Sequence, residues 1–554
     1  MKLIATIIDT TGIQPYIFGS NRLRENVGAS YLVVQATTTW VKEVLKTTPT
    51  DEEPLAGLGI ADPFLPIETS GQEAEIIYLG GGNAVLLFTS KKIATKFIRI
   101  LSTRVLREAR GINLVATHQG FDLGKGSLAE TIDTMLNVDL DRKKRSRTPL
   151  SPLLGLGVTQ ACRSTQLVAV DNSKHYGPGG GYPISREIAQ KLDVVHSKPE
   201  LDGKNLATQT LKQTIFDTTI PNQWKIPLDF DDFGRSKGEM SYIAVVHIDG
   251  NSMGDRFRQH GQGKGDREYI NAIRALSDSV KEAGKNSLRQ LTTELVEAMP
   301  RLQQKFRETG ESTLQDNRLP FRPLVYGGDD VTFVCDGRLG LTLAARYLQL
   351  FEQQSVSDGK PLTACAGICI VKAHYPFARA YALSEELCQS AKQVAKSARK
   401  TSTEREQKCS ALDWHIATSG LMGSLSDIRK REYGTASGQL EMRPLLLSTA
   451  SDQSDWRTWD CFEHVINVFE TSVWKGKRNK IMALRDILRQ GPEKTKEFLT
   501  AYRLEHLPYY PEHWMEQPTG QDLSNKGWLN QVCGYFDAIE AIDYYQPFEG
   551  ENQL

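Results

Sequence analysis

Two glycine-rich turns, each set between a pair of short apolar runs, constrain the fold of this 554-residue chain more than any other feature. The first is Gly80-Gly81-Gly82-Asn83, between 75–79 (EIIYL) and 84–88 (AVLLF). The second is Gly327-Gly328-Asp329-Asp330, with Leu324, Val325 and Tyr326 before it and Val331, Phe333 and Val334 after it. Each reads as a β-hairpin. An apolar strand ending on an aspartate precedes each hairpin: 3–8 (LIATII) runs into Asp9, and 242–248 (YIAVVHI) into Asp249. Helical patterns are expected at about 22–45 and 91–110 in the first copy, and through much of 266–309 and at 339–354 in the second. Strands at 113–119 and 362–371 close the two series, and a further helix spans 377–399. The order is β-α-β-β-α-β twice, and a whole order of elements that recurs marks an internal repeat.

The expected fold class is α+β: two ferredoxin-like (β-α-β-β-α-β) domains, a connecting domain and a C-terminal helical domain. The boundaries read as 1–128, 129–240, 241–419 and 420–554. The connecting part is irregular, with a basic cluster at Arg142–Arg147 and a glycine run at Gly177–Gly181. The glycine run lacks a following Lys-Ser/Thr and is no P-loop, and the cluster reads as a solvated charge run in preference to a contact to RNA or nucleotide phosphates.

Lys plus Arg (67) balances Asp plus Glu (67), so no global basic field holds nucleic acid by phosphate charge alone. The eight cysteines form no CxxC pair, which points to reduced, buried thiols and to no zinc site. No apolar run approaches membrane-spanning length, and Asp9 interrupts the N-terminal run too early for a signal peptide. A cytoplasmic location without membrane partners is expected.

The chemistry sits in the second copy. Adjacent aspartates in a turn repel each other unless a cation lies between them. In a β-α-β-β-α-β sheet the end of the first strand lies beside the central hairpin turn, so Asp249 is expected to meet Asp329 and Asp330. Three carboxylates on one rim suit one or two Mg²⁺ or Mn²⁺ ions, with the Gly250 backbone beside them. Gly250–Gly254 (Gly250, Asn251, Ser252, Met253, Gly254) opens toward a helix and is suited to cradle a triphosphate, with Gly327 and Gly328 opposite. Lys392 and Lys396, one helical turn apart, are expected to neutralise phosphates, with a solvated side chain an equal alternative for Lys396. The set predicts nucleotidyl transfer from a nucleoside triphosphate by two-metal catalysis. The first copy has lost both hairpin carboxylates.

Ile248-Asp-Gly-Asn-Ser-Met-Gly254, Tyr326-Gly-Gly-Asp-Asp330, His374-x-Pro376 and Ala391-Lys392 resemble the cyclase palm of the large polymerase-like subunit of type III CRISPR effector complexes. Gly12-Ile13-Gln14-x-Tyr16-Ile17, Leu23-Arg24-Glu25 and Gly28-Ala29-Ser30 resemble that family's first, inactive palm. The resemblance implies palms related to GGDEF cyclases and nucleic-acid polymerases. It implies conversion of ATP, with divalent metal, into cyclic oligoadenylates for antiviral defence. It also implies Asp249, Asp329 and Asp330 as metal ligands and Lys392 as a triphosphate contact. Many members carry an HD nuclease domain and four zinc cysteines between the palms; with no His-Asp dipeptide and only Cys162 in that region, neither DNase activity nor that zinc site is expected. Guide RNA and other effector subunits are the implied partners, against a stand-alone form or a homodimer. A cyclic dinucleotide synthase using another NTP, and a scaffold that binds nucleotide without turnover, are the competing readings. A second nucleotide pocket is expected on the first palm at Asp9, Thr10, Gly12, Ile13 and Gln14.

Overall fold

The computed structural model describes all residues except 51–52, 54–55, 81, 127, 147–156, 178–180, 197–204, 217–219, 222–223, 234–240, 309–316, 402–408, 418–422, 448–454 and 549–554. Gly81, Arg147 and most of the Gly177–Gly181 run therefore lie outside the described residues.

Strands β1 (Lys2–Thr11), β2 (Ala74–Gly80), β3 (Asn83–Phe88) and β4 (Asn113–Asp122) form an antiparallel sheet in the order β2-β3-β1-β4. Helix α1 (Leu23–Val34), which continues through a wider turn at Gln35–Thr39 into Trp40–Lys46, and helix α2 (Lys91–Glu108) cover one face. Strands β5 (Tyr242–Gly250), β6 (Phe321–Val325), β7 (Val331–Asp336) and β8 (Ala364–Lys372) repeat the order as β6-β7-β5-β8. Two strands extend this second sheet: β9 (Ala411–Ile416), parallel to β8, and β10 (Leu445–Leu446) at its edge. The expected repeat is present down to its register. Asp9 pairs with Asn83, while the β5–β7 ladder ends at Ile248 opposite Val331, so that Asp249 and Asp330 are next in line.

The second copy carries helices α3 (Met253–Gly261), α4 (Asp266–Glu308), α5 (Gly340–Glu352) and α6 (Phe377–Thr401). Its strands read as continuous apolar runs because both faces are buried. Ala244, Val246 and Ile248 face α4 and α5, and Val245 and Ile243 face α6 and the first palm's helices. The 43-residue α4 serves both sheets. Its first turns bury Tyr269, Ile270 and Ile273 against Leu3, Ile7, Val85 and Leu87, and its later turns bury Leu288, Leu291 and Leu295 in the second core. Arg267 and Arg274 fix this join by donating to the fully buried Glu75 carboxylate at 2.6 and 2.9 Å. Arg274 also takes up the Ile76 carbonyl at 2.6 Å on the sheet's outer strand.

The part after 420 is helical as expected, with α7 (Trp459–Thr471) and α8 (Arg478–Leu488) among its helices, but it also holds a four-stranded sheet. Its strands are two residues each (Gly434–Thr435, Gly438–Gln439, Trp528–Leu529, Val532–Cys533), too short to leave a period-2 signal in the sequence. All eight cysteines are buried thiols outside any disulfide. Among the described residues no helix is long and apolar enough to cross a membrane.

Where this C-terminal part meets β9, Arg443 and Asp537 pair at 2.6 Å with neither side chain exposed, and Arg429 bonds Asp413 at 2.5 Å. Burial, and then Arg443, Arg429 and Arg431, push the nearby His415 down to about 3. A histidine lowered in the folded state takes up its proton only on unfolding, so stability falls as pH drops from about 6.5 toward 3, by about 1.4 kcal/mol per unit. Denaturant titrations between pH 7 and 4 should show this slope in the wild type and a flatter one in His415→Gln. Identical acid dependence in the two would contradict it.

Candidate active site

Asp249 is the penultimate residue of β5, and the turn 327–330 joins β6 to β7, so neighbouring strands bring their carboxylates to one rim. Two glycines hold the surrounding helices close. A methyl group on Gly367 of β8 would sit 1.9 Å from the Ser384 carbonyl, so α6 lies directly on the strand. That contact lets Lys392 reach across: its Nζ donates to Asp249 Oδ2 at 2.5 Å and to the Gly250 carbonyl at 3.2 Å. A methyl on Gly284 of α4 would meet the Gly328 carbonyl at 2.4 Å, so α4 runs under the turn itself. No atom would meet a Cβ on Gly254, Gly327 or Gly328, and this open space leaves room for a ligand above the loop and turn.

The charges at the rim are crowded. Burial, followed by Asp249, Asp329 and Glu385, pushes Asp330 up to about 8, with Lys392 pulling the other way. Water reaches 55% of the Asp330 side chain, which screens part of that push and leaves the carboxylate open to a cation. Burial and then Asp249 also raise Asp329. For Lys392, burial acts downward, but the bond to Asp249 outweighs it and the ammonium is held above its usual range. His247, pushed down to about 4 by burial, places Nδ1 3.6 Å from Asp330 Oδ1 and 3.2 Å from Thr332 Oγ1.

Carboxylates crowded on one rim fit a hard divalent cation, and Asp249, Asp329 and Asp330 with the Gly250 carbonyl are the oxygens that would hold it. Among the described residues, no group of three or more His, Cys, Asp or Glu side chains stands closed around a common point. The Lys392 ammonium holds the cation position at Asp249 instead.

Other residues expected from the sequence divide. Asn251 is taken up by the scaffold: Nδ2 donates to Thr363 Oγ1 and the Cys409 carbonyl, both at 3.1 Å, and Oδ1 accepts from Cys365 Sγ at 3.3 Å. Met253 is buried, while Ser252 adopts a left-handed backbone (φ 56°) that starts α3. Their contribution to a ligand is thus the backbone of the loop. Lys396 is exposed and makes no ion pair among the described residues, in keeping with a solvated side chain.

The first palm has a counterpart arrangement. Lys144 Nζ bonds Asp9 Oδ2 at 2.5 Å, from the helical stretch that follows β4, as α6 follows β8. Thr10 Oγ1 donates to the Gly82 carbonyl at 2.8 Å, and Gly12 (φ 69°) begins the helical turn Ile13–Phe18. The basic cluster is therefore not wholly a solvated run. Two residues escaped the sequence reading. Lys144 was hidden inside a charge cluster, and its signal was the repeat, which demands a helix after β4. Glu385 lies seven residues before Lys392, two turns along one helical face, and that spacing could have found it.

Known proteins share this fold. Residues 242–401 match the family described as Cas10/Cmr2, second palm domain. No curated protein matches the chain. Among solved structures, 98% of the chain superposes on the Csm1–Csm4 cassette in complex with pppApA (TM-score 0.51, 13% identity, 69% of that chain). It superposes equally on the cassette in complex with cA4 (0.50, 12%, 69%) and on Csm1 in T. onnurineus (0.50, 13%, 70%). The fold is shared along nearly the whole chain.

The closeness of α4 to the turn gives a direct check. Gly284→Ala drives a methyl into the Gly328 carbonyl and should lower Mn²⁺ affinity at least about tenfold, because small misplacements of such groups are costly. Far-UV circular dichroism should stay unchanged. Wild-type affinity in this variant would contradict the placement of the turn.

Proposed function

We propose that this Cas10-like chain, with a Cas10/Cmr2 second palm domain over residues 242–401, is a nucleotidyltransferase that joins ATP into cyclic oligoadenylates as a subunit of a type III CRISPR-like effector complex. One observation carries the reading. Asp249, Asp329 and Asp330 converge with Lys392 on one rim, where the first palm keeps Asp9 and Lys144 but has Asn83 in place of Asp330. A chain that only bound nucleotide as a scaffold would have no use for three mutually repelling carboxylates.

In the reaction, the 3′-hydroxyl oxygen of one nucleotide attacks the α-phosphorus of another ATP. A new P–O bond forms, the bond to pyrophosphate breaks, and the hydroxyl proton passes to solvent. Bound Mg²⁺ or Mn²⁺, two ions in the full site, supplies Lewis-acid polarisation of the phosphate and the hydroxyl. Asp249, Asp329 and Asp330 hold the negative field that keeps cations there. Lys392 exchanges Asp249 for the triphosphate, a transfer between two anions that leaves its charge in the site. The backbone of Gly250–Gly254 lines the phosphates, and the open space over Gly327 and Gly328 admits the sugar. The Asp9–Gln14 loop, with Lys144 beside it, holds the second nucleotide. The pppApA and cA4 of the Csm1–Csm4 structures support an oligoadenylate product, and their cassette partner supports a further effector subunit here.

Incubation of the protein with each NTP and Mg²⁺ or Mn²⁺, alone and with guide and target RNA, should give adenylate oligomers by mass spectrometry. The Asp329→Ala/Asp330→Ala variant should give none. A product from GTP instead would favour the cyclic dinucleotide reading. Nucleotide binding without product in every condition would favour the scaffold.

A further inference from the structure

Beneath the turn 327–330 lies a hydrogen-bond donor that the fold leaves without a partner. Tyr347, on α5, is fully buried, and its hydroxyl makes no hydrogen bond among the described residues. Its ring stacks on Phe351 with centroids 5.9 Å apart. The hydroxyl faces the turn across α4: a Cβ at Gly284 would stand 3.7 Å from it and 2.4 Å from the Gly328 carbonyl oxygen. That carbonyl likewise accepts no backbone hydrogen bond among the described residues. An unmet donor and an unmet acceptor thus flank one point on α4. The nearest hydroxyl of α4 itself is no substitute, because Ser287, buried one turn after Gly284, donates to the Ala283 carbonyl at 2.9 Å. Burial holds the Tyr347 phenol above its usual range, so it keeps its proton and stays a donor. Such a group is costly to bury unmet, and a second state of the turn that uses it accounts for its presence.

We infer that Tyr347 is a positioning residue for the turn, and that its hydroxyl takes up the Gly328 carbonyl when a divalent cation draws Asp329 and Asp330 together. The inference rests on reading those aspartates, with Asp249, as a metal site. Without a cation the carboxylates push apart, and the turn that carries them stands off the hydroxyl. A bound cation removes that repulsion. The peptide between Gly328 and Asp329 is then able to tip. Gly327 (φ 140°) and Gly328 carry no Cβ, and nothing lies within 4 Å of where one would stand. Gly284, also without a side chain, leaves the path from carbonyl to hydroxyl clear. Once made, the hydrogen bond holds the turn in its loaded form. A bond present only in that form favours it over the other, so part of the cation affinity comes from a group that never touches the cation.

The test measures Mn²⁺ binding to the full chain by electron paramagnetic resonance, with thermal melts in the presence and absence of Mn²⁺. Tyr347→Phe removes one oxygen and leaves the ring on Phe351. It should bind Mn²⁺ about fivefold more weakly than wild type, the worth of one ordinary hydrogen bond. Without Mn²⁺ the same variant should melt at or above the wild-type temperature, because no bond is lost and an unmet buried hydroxyl is gone. A tyrosine that served packing alone would leave Mn²⁺ affinity unmoved. Affinity within twofold of wild type would therefore overturn the inference. A metal-free variant that melts below wild type would do the same, since its hydroxyl would already be bonded in that state. Wild-type Mn²⁺ binding by the Asp329→Ala/Asp330→Ala variant would overturn the metal reading itself and the inference with it.

Discussion

Charge crowding at the end of β5 is the constraint on which the rest of the site depends. Asp249, Asp329 and Asp330 arrive from a strand end and an adjacent turn, and burial makes their mutual repulsion costly. In the structure one ammonium, Lys392, answers that repulsion at 2.5 Å from Asp249. A single monovalent charge cannot balance three carboxylates, and the side chain of Asp330 stays largely open to solvent. The site is thus poised for more positive charge than the protein supplies. Glu385 adds to the crowding at Asp330, and Gln14 from the other palm donates a hydrogen bond to it.

Two devices hold this arrangement against its own repulsion. Helix α4 spans both sheets, and Arg267 and Arg274 close on Glu75 at the end that serves the first palm. The same helix passes under Gly328 at its middle, where only glycine at 284 fits. The turn with its aspartates is therefore anchored to an element whose other end is locked into the first sheet. The second device is the reciprocal exchange of Gln14–Glu385 and Arg258–Asp133 contacts, which gives the two palms the geometry of a dimer built within one chain. Lys144 on Asp9 and Lys392 on Asp249 are the matching inner pairs. One copy has kept the carboxylates and the other has not.

Much of this was legible in the sequence. The order of elements in both palms follows from apolar runs, glycine turns and helical spacing, because strands buried on both faces leave long apolar signals. The meeting of Asp249 with the Asp329–Asp330 turn follows from topology alone, although some 80 residues separate them in the chain. What the sequence hid were contacts set by packing between distant segments. Asn251 looked like a ligand contact because it stands in the loop, but Thr363, Cys365 and Cys409 use its whole amide. Lys144 looked solvated because charge runs usually are, and only the register of the first sheet places it on Asp9. The two-residue strands after 420 carry no periodicity at all. Arg443, inside that part, stands in no motif or periodic pattern that marks it, yet its guanidinium is fully buried on Asp537.

The account turns on whether cations displace Lys392 from Asp249 when nucleotide is present. Anomalous scattering from crystals grown with Mn²⁺ and a non-hydrolysable ATP analogue measures this directly. The account predicts manganese peaks among Asp249, Asp329 and Asp330, with the Lys392 ammonium moved onto phosphate. An intact Lys392–Asp249 pair with nucleotide bound and no manganese at the three aspartates would contradict it.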